Sequence, residues 1–296
     1  MKSMFATVLF AGVITATPAL AVVYQVYPDG RGATPTIQSA IDSAAVSGDV
    51  ILVHAGVYQE ENILADGKEI QLLGHDGVPL LLPAFSGQGT GITLRNVGAG
   101  FTLMGFDIRG FETGIVADNA SATVSYCNLY DCATGLEIGG ALSAPTALFC
   151  VVDSCATGVS VSGGSAVTVR NMTIAKCGVG IAVSGGSVSI SRNIIYRADI
   201  GVACGGGSAL LSCNDFYLNA VDYGGCAPGT GDIHEMPRFC YAASGLPQPY
   251  LLHYDSPCWG RNNDCGLDMG AFIQFHGCEG MSLEETSWGA VKRLYR

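Results

Sequence analysis

Charge is scarce in this chain: only 13% of its 296 residues are Asp, Glu, Lys or Arg. Basic residues are the fewer, 14 Lys and Arg against 25 Asp and Glu, for a formal charge of −11. A surface of that sign repels phosphate backbones, which argues against nucleic acid as a partner. It equally disfavours an acidic polysaccharide unless a cation bridges the two. No C-x-x-C pair occurs, and the histidines at 54, 75, 234, 253 and 276 do not accompany paired cysteines, so the spacing of a structural zinc site is missing. Glycine pairs are present but no Gly-Lys-Ser/Thr comes after them, which removes the phosphate-loop reading. Beyond the first two dozen residues no apolar run is long enough to span a bilayer.

The opening, MKSMFATVLFAGVITATPALA, has one lysine, an apolar run from Met4 to Ile14, and Ala19-Leu20-Ala21. That is the layout of a secretory signal peptide, with cleavage expected after Ala21. The run is too short for a membrane anchor, and Pro18 interrupts the residues just beyond it. Removing residues 1–21 deletes Lys2 and no acid, so the mature chain is one unit more negative. The protein is expected to be secreted or held at the cell surface, where its 12 cysteines meet conditions that allow disulfides.

Glycine is abundant, with 41 residues, and it marks a repeat. Gly114, Gly135, Gly158, Gly180 and Gly201 succeed one another at intervals of 21–23 residues. A period in the low twenties is that of a solenoid whose repeats bury apolar faces only against their neighbours. Alternation such as Val159-Ser160-Val161 and Val188-Ser189-Ile190 makes the repeat β rather than helical. Three columns are small or apolar throughout: Ile108, Leu129, Val152, Ile174, Ile195; Phe111, Cys132, Cys155, Cys177, Ala198; and Ile115, Leu136, Val159, Ile181, Val202. They read as inward stacks of a parallel β-helix, with coils about 4.8 Å apart. Asn171, Asn193 and Asn214 recur at 22 and 21 residues and are expected to form a polar ladder near the bends.

These columns, the opening Val26-Tyr27-Pro28-Asp29-Gly30 with Pro35-Thr36-Ile37-Gln38, and the closing Asp255-Ser256-Pro257-Cys258 and Asp268-Met269-Gly270-Ala271-Phe272 resemble the right-handed parallel β-helix superfamily of secreted bacterial repeat proteins, the pectate-lyase-like fold. The fold class expected is therefore all-β, a right-handed parallel β-helix with coils of about 21–23 residues. Ile37, Ala40, Ile41 and Ala44 share one helical face, begun at Pro35 and ended near Gly48, which predicts a helix capping the first coil. The domain is expected over residues 22–278, with regular coils over about 50–225 and an irregular, disulfide-prone cap over 226–278. The tail 279–296 reads as an attachment signal or an amphipathic helix docked on the barrel.

Cys132, Cys155 and Cys177 belong to an inward column and are expected to pack as small apolar groups. Cys127 and Cys150 make either another stack or a bridge. Cys226, Cys240, Cys258, Cys265 and Cys278 lie outside the coils and are the better disulfide candidates; their odd number requires a free thiol or a coil partner such as Cys204 or Cys213. The segment Asn262-Asn263-Asp264 is expected to be a turn closed by Cys258 and Cys265.

Function would have to use the outward positions beside the inner stack. One residue before it stand Asp131, Ser154, Lys176 and Arg197; two residues before it stand Arg109, Tyr130, Asp153, Tyr196 and, one coil on, Tyr217. Resemblance to polysaccharide lyases of this fold implies Asp131 and Asp153 as Ca²⁺ ligands and Lys176 and Arg197 as proton-abstracting bases. Tyr130, Tyr196, Tyr217 and Arg109 would bind sugar. The paired-Arg motif of those lyases, the N-T-D and D-D signatures of pectin hydrolases and the catalytic set of pectin esterases are all missing. The leading expectation is therefore a non-catalytic module that binds an extracellular glycan or cell-surface component. The alternatives are a Ca²⁺-assisted uronate lyase and a structural envelope component.

Overall fold

The computed structural model describes residues 21–164, 166–240 and 250–272. The signal-peptide reading, Cys278 and the tail lie outside them. The chain winds into a parallel β-solenoid with three faces. The second face carries three-residue strands: Asp107–Arg109, Asn128–Tyr130, Val151–Asp153, Thr173–Ala175, Ile194–Tyr196 and Asp215–Tyr217. A first face runs from Thr102–Met104 to Ser208–Ser212, and it meets the second on the long strand Glu69–Leu82. The third is a separate eight-stranded sheet from Ile63–Asp66 to Val221–Gly224.

Register bears out the columns. Ile108, Leu129, Val152, Ile174 and Ile195 are successive partners, as are Ile115, Leu136, Val159, Ile181 and Val202. Every residue of the three columns is buried. Cys127, Cys132, Cys150, Cys155 and Cys177 are all free, buried thiols, which settles the open choice for Cys127 and Cys150 as packing. The repeat glycines have a steric reason: a Cβ on Gly158 would lie 2.5 Å from the Gly180 carbonyl oxygen and 2.8 Å from Ile174 Cγ2.

The asparagine ladder is real but shifted. Asn193 and Asn214 are buried, and Asn193 Nδ2 donates to Asn214 Oδ1 at 3.0 Å. Asn214 Nδ2 donates in turn to Asp232 Oδ1 at 3.0 Å, so the ladder ends on a carboxylate. Met172, whose N–H donates to Asn193 Oδ1, fills the corresponding position one coil earlier. Asn171 sits instead at a left-handed corner, φ 51°, because the coil from Thr173 to Ile194 is 21 residues and not 22.

At the N-terminal end the helix Ile37–Ser43 is capped by Thr36, whose side chain and that of Ser39 close a capping box. Ile37, Ala40, Ile41 and Ala44 are buried, and the Lys68 ammonium donates to the Ile41 and Ala44 carbonyls at 2.6 and 2.5 Å. The helix ends earlier than expected, because Ala44 is extended and a strand begins at Ser47. No helix among the described residues is long and apolar enough to cross a membrane.

The C-terminal segment is irregular, apart from one 3₁₀ turn at Gly260–Asn262, and it folds back across the outer surface of the second face. Asn171 Nδ2 donates to the Asp268 carbonyl at 2.8 Å, and the Ala271 N–H donates to Thr173 Oγ1 at 3.1 Å. Two disulfides tie the C-terminal segment to the last coils, Cys204–Cys226 and Cys213–Cys265, both using a coil cysteine; Cys240 is disulfide-bonded too. Cys258 departs from expectation: it is a free, buried thiol that donates to Asp215 Oδ2 at 3.2 Å. The turn at Asn262–Asp264 is accordingly not closed by Cys258 and Cys265. Asn263 Nδ2 organises it by donating to the Pro257, Trp259 and Leu267 carbonyls.

Candidate functional site

Each second-face strand leads into a corner with positive φ: Gly110, Asp131, Ser154, Lys176, Arg197 and Leu218. This left-handed turn ends the three-residue strand and re-aims the chain toward the third face. It also projects the corner side chain away from the barrel. Asp131, Lys176 and Arg197 therefore stand on a raised edge, while Tyr130, Asp153, Ala175, Tyr196 and Tyr217 form the adjacent column on the strand itself.

Lys176, Tyr196, Arg197 and Tyr217 come together along one side of a groove of about 370 Å³. Its other side comes from the cap: Met236, Pro237, Arg238, Phe239, Cys240 and Tyr250. Tyr196 and Tyr217 lie parallel, with ring centroids 6.1 Å apart and planes 3° apart. Phe239 meets the Tyr196 ring edge-on at 5.5 Å, and the Arg197 guanidinium sits 5.0 Å from that ring's centroid.

The cations are held differently. Lys176 Nζ lies 3.1 Å from Asp153 Oδ2, and Arg238 Nη1 donates to Asp255 Oδ2 at 2.7 Å. His253, also bonded to Asp255, holds that carboxyl below its ordinary value, with Arg238 adding to the effect. Among the described residues Arg197 has no carboxylate within ion-pair distance.

The remaining sequence candidates are placed elsewhere. Asp153 is buried under the cap and does not line the groove; Ser154 Oγ donates to its Oδ1 at 2.8 Å and the Tyr250 hydroxyl donates to its Oδ2 at 2.6 Å. With Lys176 this makes three donors on one carboxylate. Asp131 is exposed on the corner edge, and it does not line the groove. Arg109 is bonded to Asp107 through Nε and Nη2 at 2.7 and 2.6 Å and lies over the Tyr130 ring at 4.6 Å. Tyr130 packs against the cluster formed by Val151, Ala175, Tyr250 and Phe272. Burial, with the nearby Asp107 charge, pushes its phenol well up.

The far wall, Arg238, Phe239 and Tyr250, was not legible from the repeats. A signal existed: Val151, Ala175 and Ile194 occupy outward strand positions yet are small or apolar, which marks a covered face. Tyr250 is the latch of that cover. Burial, reinforced by its bond to Asp153, holds its phenol strongly protonated. Tyr250→Phe is expected to cost about 1.5–3 kcal/mol, the worth of a hydrogen bond to a charged group. Limited proteolysis should then show the cap cut sooner while the coils stay resistant; an unchanged cutting rate would refute the latch.

Among the described residues, three metal-ligating side chains gather away from this groove, at His54, His75 and Asp76. Residues 90–233, the stretch that supplies the coil side of the groove, match the family model described as right handed beta helix region. Neither curated proteins nor solved structures give a match. The family match over residues 90–233 and the stacked parallel coils together show that the chain contains a right-handed parallel β-helix region.

Proposed function

We propose that this is a secreted β-helix module that binds a carboxylate-bearing glycan, without cleaving it, in the groove between the second face and the cap. The reading rests on one observation: two parallel tyrosines line the same open groove as a guanidinium that has no carboxylate partner among the described residues. Tyrosine rings supply flat, rigid surface for the apolar faces of successive sugars, and Arg197 supplies a fork for a sugar carboxylate. The overall negative charge does not oppose this, because charge acts locally within about 8–10 Å at physiological salt, and the groove wall carries Lys176, Arg197 and Arg238.

Cleavage receives less support. The ammonium of Lys176 is directed at Asp153, and three donors already occupy that carboxylate. Ca²⁺ favours sites that gather six to eight oxygens.

Isothermal titration against polygalacturonate and alginate, with dextran as the neutral control, tests the proposal. Binding to one of the acidic polymers but not to dextran is expected. Arg197→Ala and Tyr217→Ala should each weaken it about tenfold, and added salt should weaken it further. No affinity for either polymer, or affinity that both variants retain, would overturn it. Growth of ultraviolet absorbance from an unsaturated uronide during the titration would establish the lyase instead.

A further inference from the structure

His54 and His75 are direct register partners on the paired strands Ser47–Gln59 and Glu69–Leu82. Their side chains therefore leave the sheet on one side, about 4.8 Å apart at the backbone. The register shifts immediately afterwards, between His54 and Gly56, and Asp76 adopts a φ of 57°. The result is a carboxylate turned back toward both rings: Asp76 Oδ2 is 3.3 Å from His54 Nδ1 and 3.4 Å from His75 Nε2. One ligating atom from each residue lies within 4.8 Å of the others.

These separations exceed the roughly 2.7–3.2 Å of an N–H···O bond. They match the edge, about 3.3 Å, of a tetrahedron built on the roughly 2.0–2.1 Å bonds that zinc makes to imidazole and carboxylate. The His54 ring is also oriented from behind. Its Nε2 is 2.9 Å from Gln25 Oε1, an acceptor that also takes the Tyr27 hydroxyl at 2.8 Å. Gln25 Oε1 can only accept, so Nε2 is the donor in that bond; in the neutral ring the Nδ1 lone pair then faces the carboxylate, where a cation fits between them. Tyr27 stacks on the same ring at 4.1 Å and fixes its plane.

We propose that His54 Nδ1, His75 Nε2 and Asp76 Oδ2 form a binding site for a divalent transition-metal ion of the zinc class, with the fourth position open. His75 and Asp76 are partly exposed, with 43% and 55% of their side-chain surface accessible, so the ion has a route in. Two imidazoles and one carboxylate suit zinc, copper or nickel and not Ca²⁺. The ion would join the strands Ser47–Gln59 and Glu69–Leu82 directly, and Val23–Val26 through Gln25.

Equilibrium dialysis of the full chain, free of any polyhistidine tag, against micromolar Zn²⁺ is expected to load one ion per chain. His75→Ala and Asp76→Asn should each weaken uptake roughly tenfold or more. His234→Ala and His253→Ala, which remove the other His–Asp pairs among the described residues, should leave it unchanged. Circular dichroism of the two site variants separates a lost ligand from a lost fold. Absence of uptake by the parent chain, or uptake that both folded site variants retain, overturns the proposal.

Discussion

Valine at position 158 is expected to destabilise the solenoid by about 3 kcal/mol, at the upper end of overpacking costs. The first added carbon alone would stand 2.5 Å from the Gly180 carbonyl oxygen and 2.8 Å from Ile174 Cγ2. The obstacle is backbone of the next coil, so no rotamer change relieves it. Moving that coil would break the ladder in which Val159 pairs with Ile181 and Thr157 with Val179. Gly139→Ala is the control, because a Cβ there meets only Ser162 Oγ at an ordinary 3.5 Å. Urea denaturation of both variants checks this. A Gly158→Val midpoint no lower than that of Gly139→Ala would show that the repeat glycines are not required for stacking.

Asp215→Asn is expected to stabilise the protein at pH 8 and to do little near pH 4. Asp215 is fully covered by the cap; Cys258 Sγ donates to its Oδ2 and the Glu235 N–H to its Oδ1. Burial pushes its carboxyl up to about 7, with Glu235 and Asp222 adding to the rise. Because the folded value exceeds the unfolded one, the folded state keeps its proton over a range where the unfolded chain has lost it. The stability this confers is complete below about pH 4 and disappears as the pH climbs to about 7. Across three units that is roughly 4 kcal/mol, an order of magnitude only. Asparagine keeps the shape and removes the titration. Its stability gain over the parent should therefore grow between pH 4 and 8, read from paired denaturation curves. Parallel curves would mean that Asp215 does not titrate in this window.

The coil was legible because parallel stacking forces the same residue type into the same place every 21–23 residues. Val152, Cys155 and Val159 say the same thing as Ile174, Cys177 and Ile181, and each repetition adds weight. The asparagine ladder was misregistered by one residue at Asn171, since coils of 21 and 22 residues are mixed and spacing alone cannot locate the extra one. Half of the groove was equally legible: Lys176, Arg197, Tyr196 and Tyr217 were found because they, too, lie on columns. The other half belongs to Arg238, Phe239 and Tyr250, which occur once and have no period. Tyr250 finds its partner Asp153 97 residues away in sequence, a pairing that only the folded path can make. The cap's disulfides were legible in kind but not in pairing, and Cys258 is a free thiol bonded to the Asp215 carboxyl and not a bridge.

The sideways landing of the cap also sets a ruler. Its hydrogen bonds and its disulfide to the coils, among the described residues, fall from Val151 onward, on Asp153, Asn171, Thr173, Arg192 and Cys213. Coils on the N-terminal side of these make no part of the groove and act as a spacer, about 4.8 Å per turn, between the helix-capped end and the groove. A whole coil gained or lost in the spacer changes how far the groove stands from that end and leaves its walls as they are. A coil gained between Val151 and Asp215 would slide Arg197 and Tyr217 out of line with Phe239.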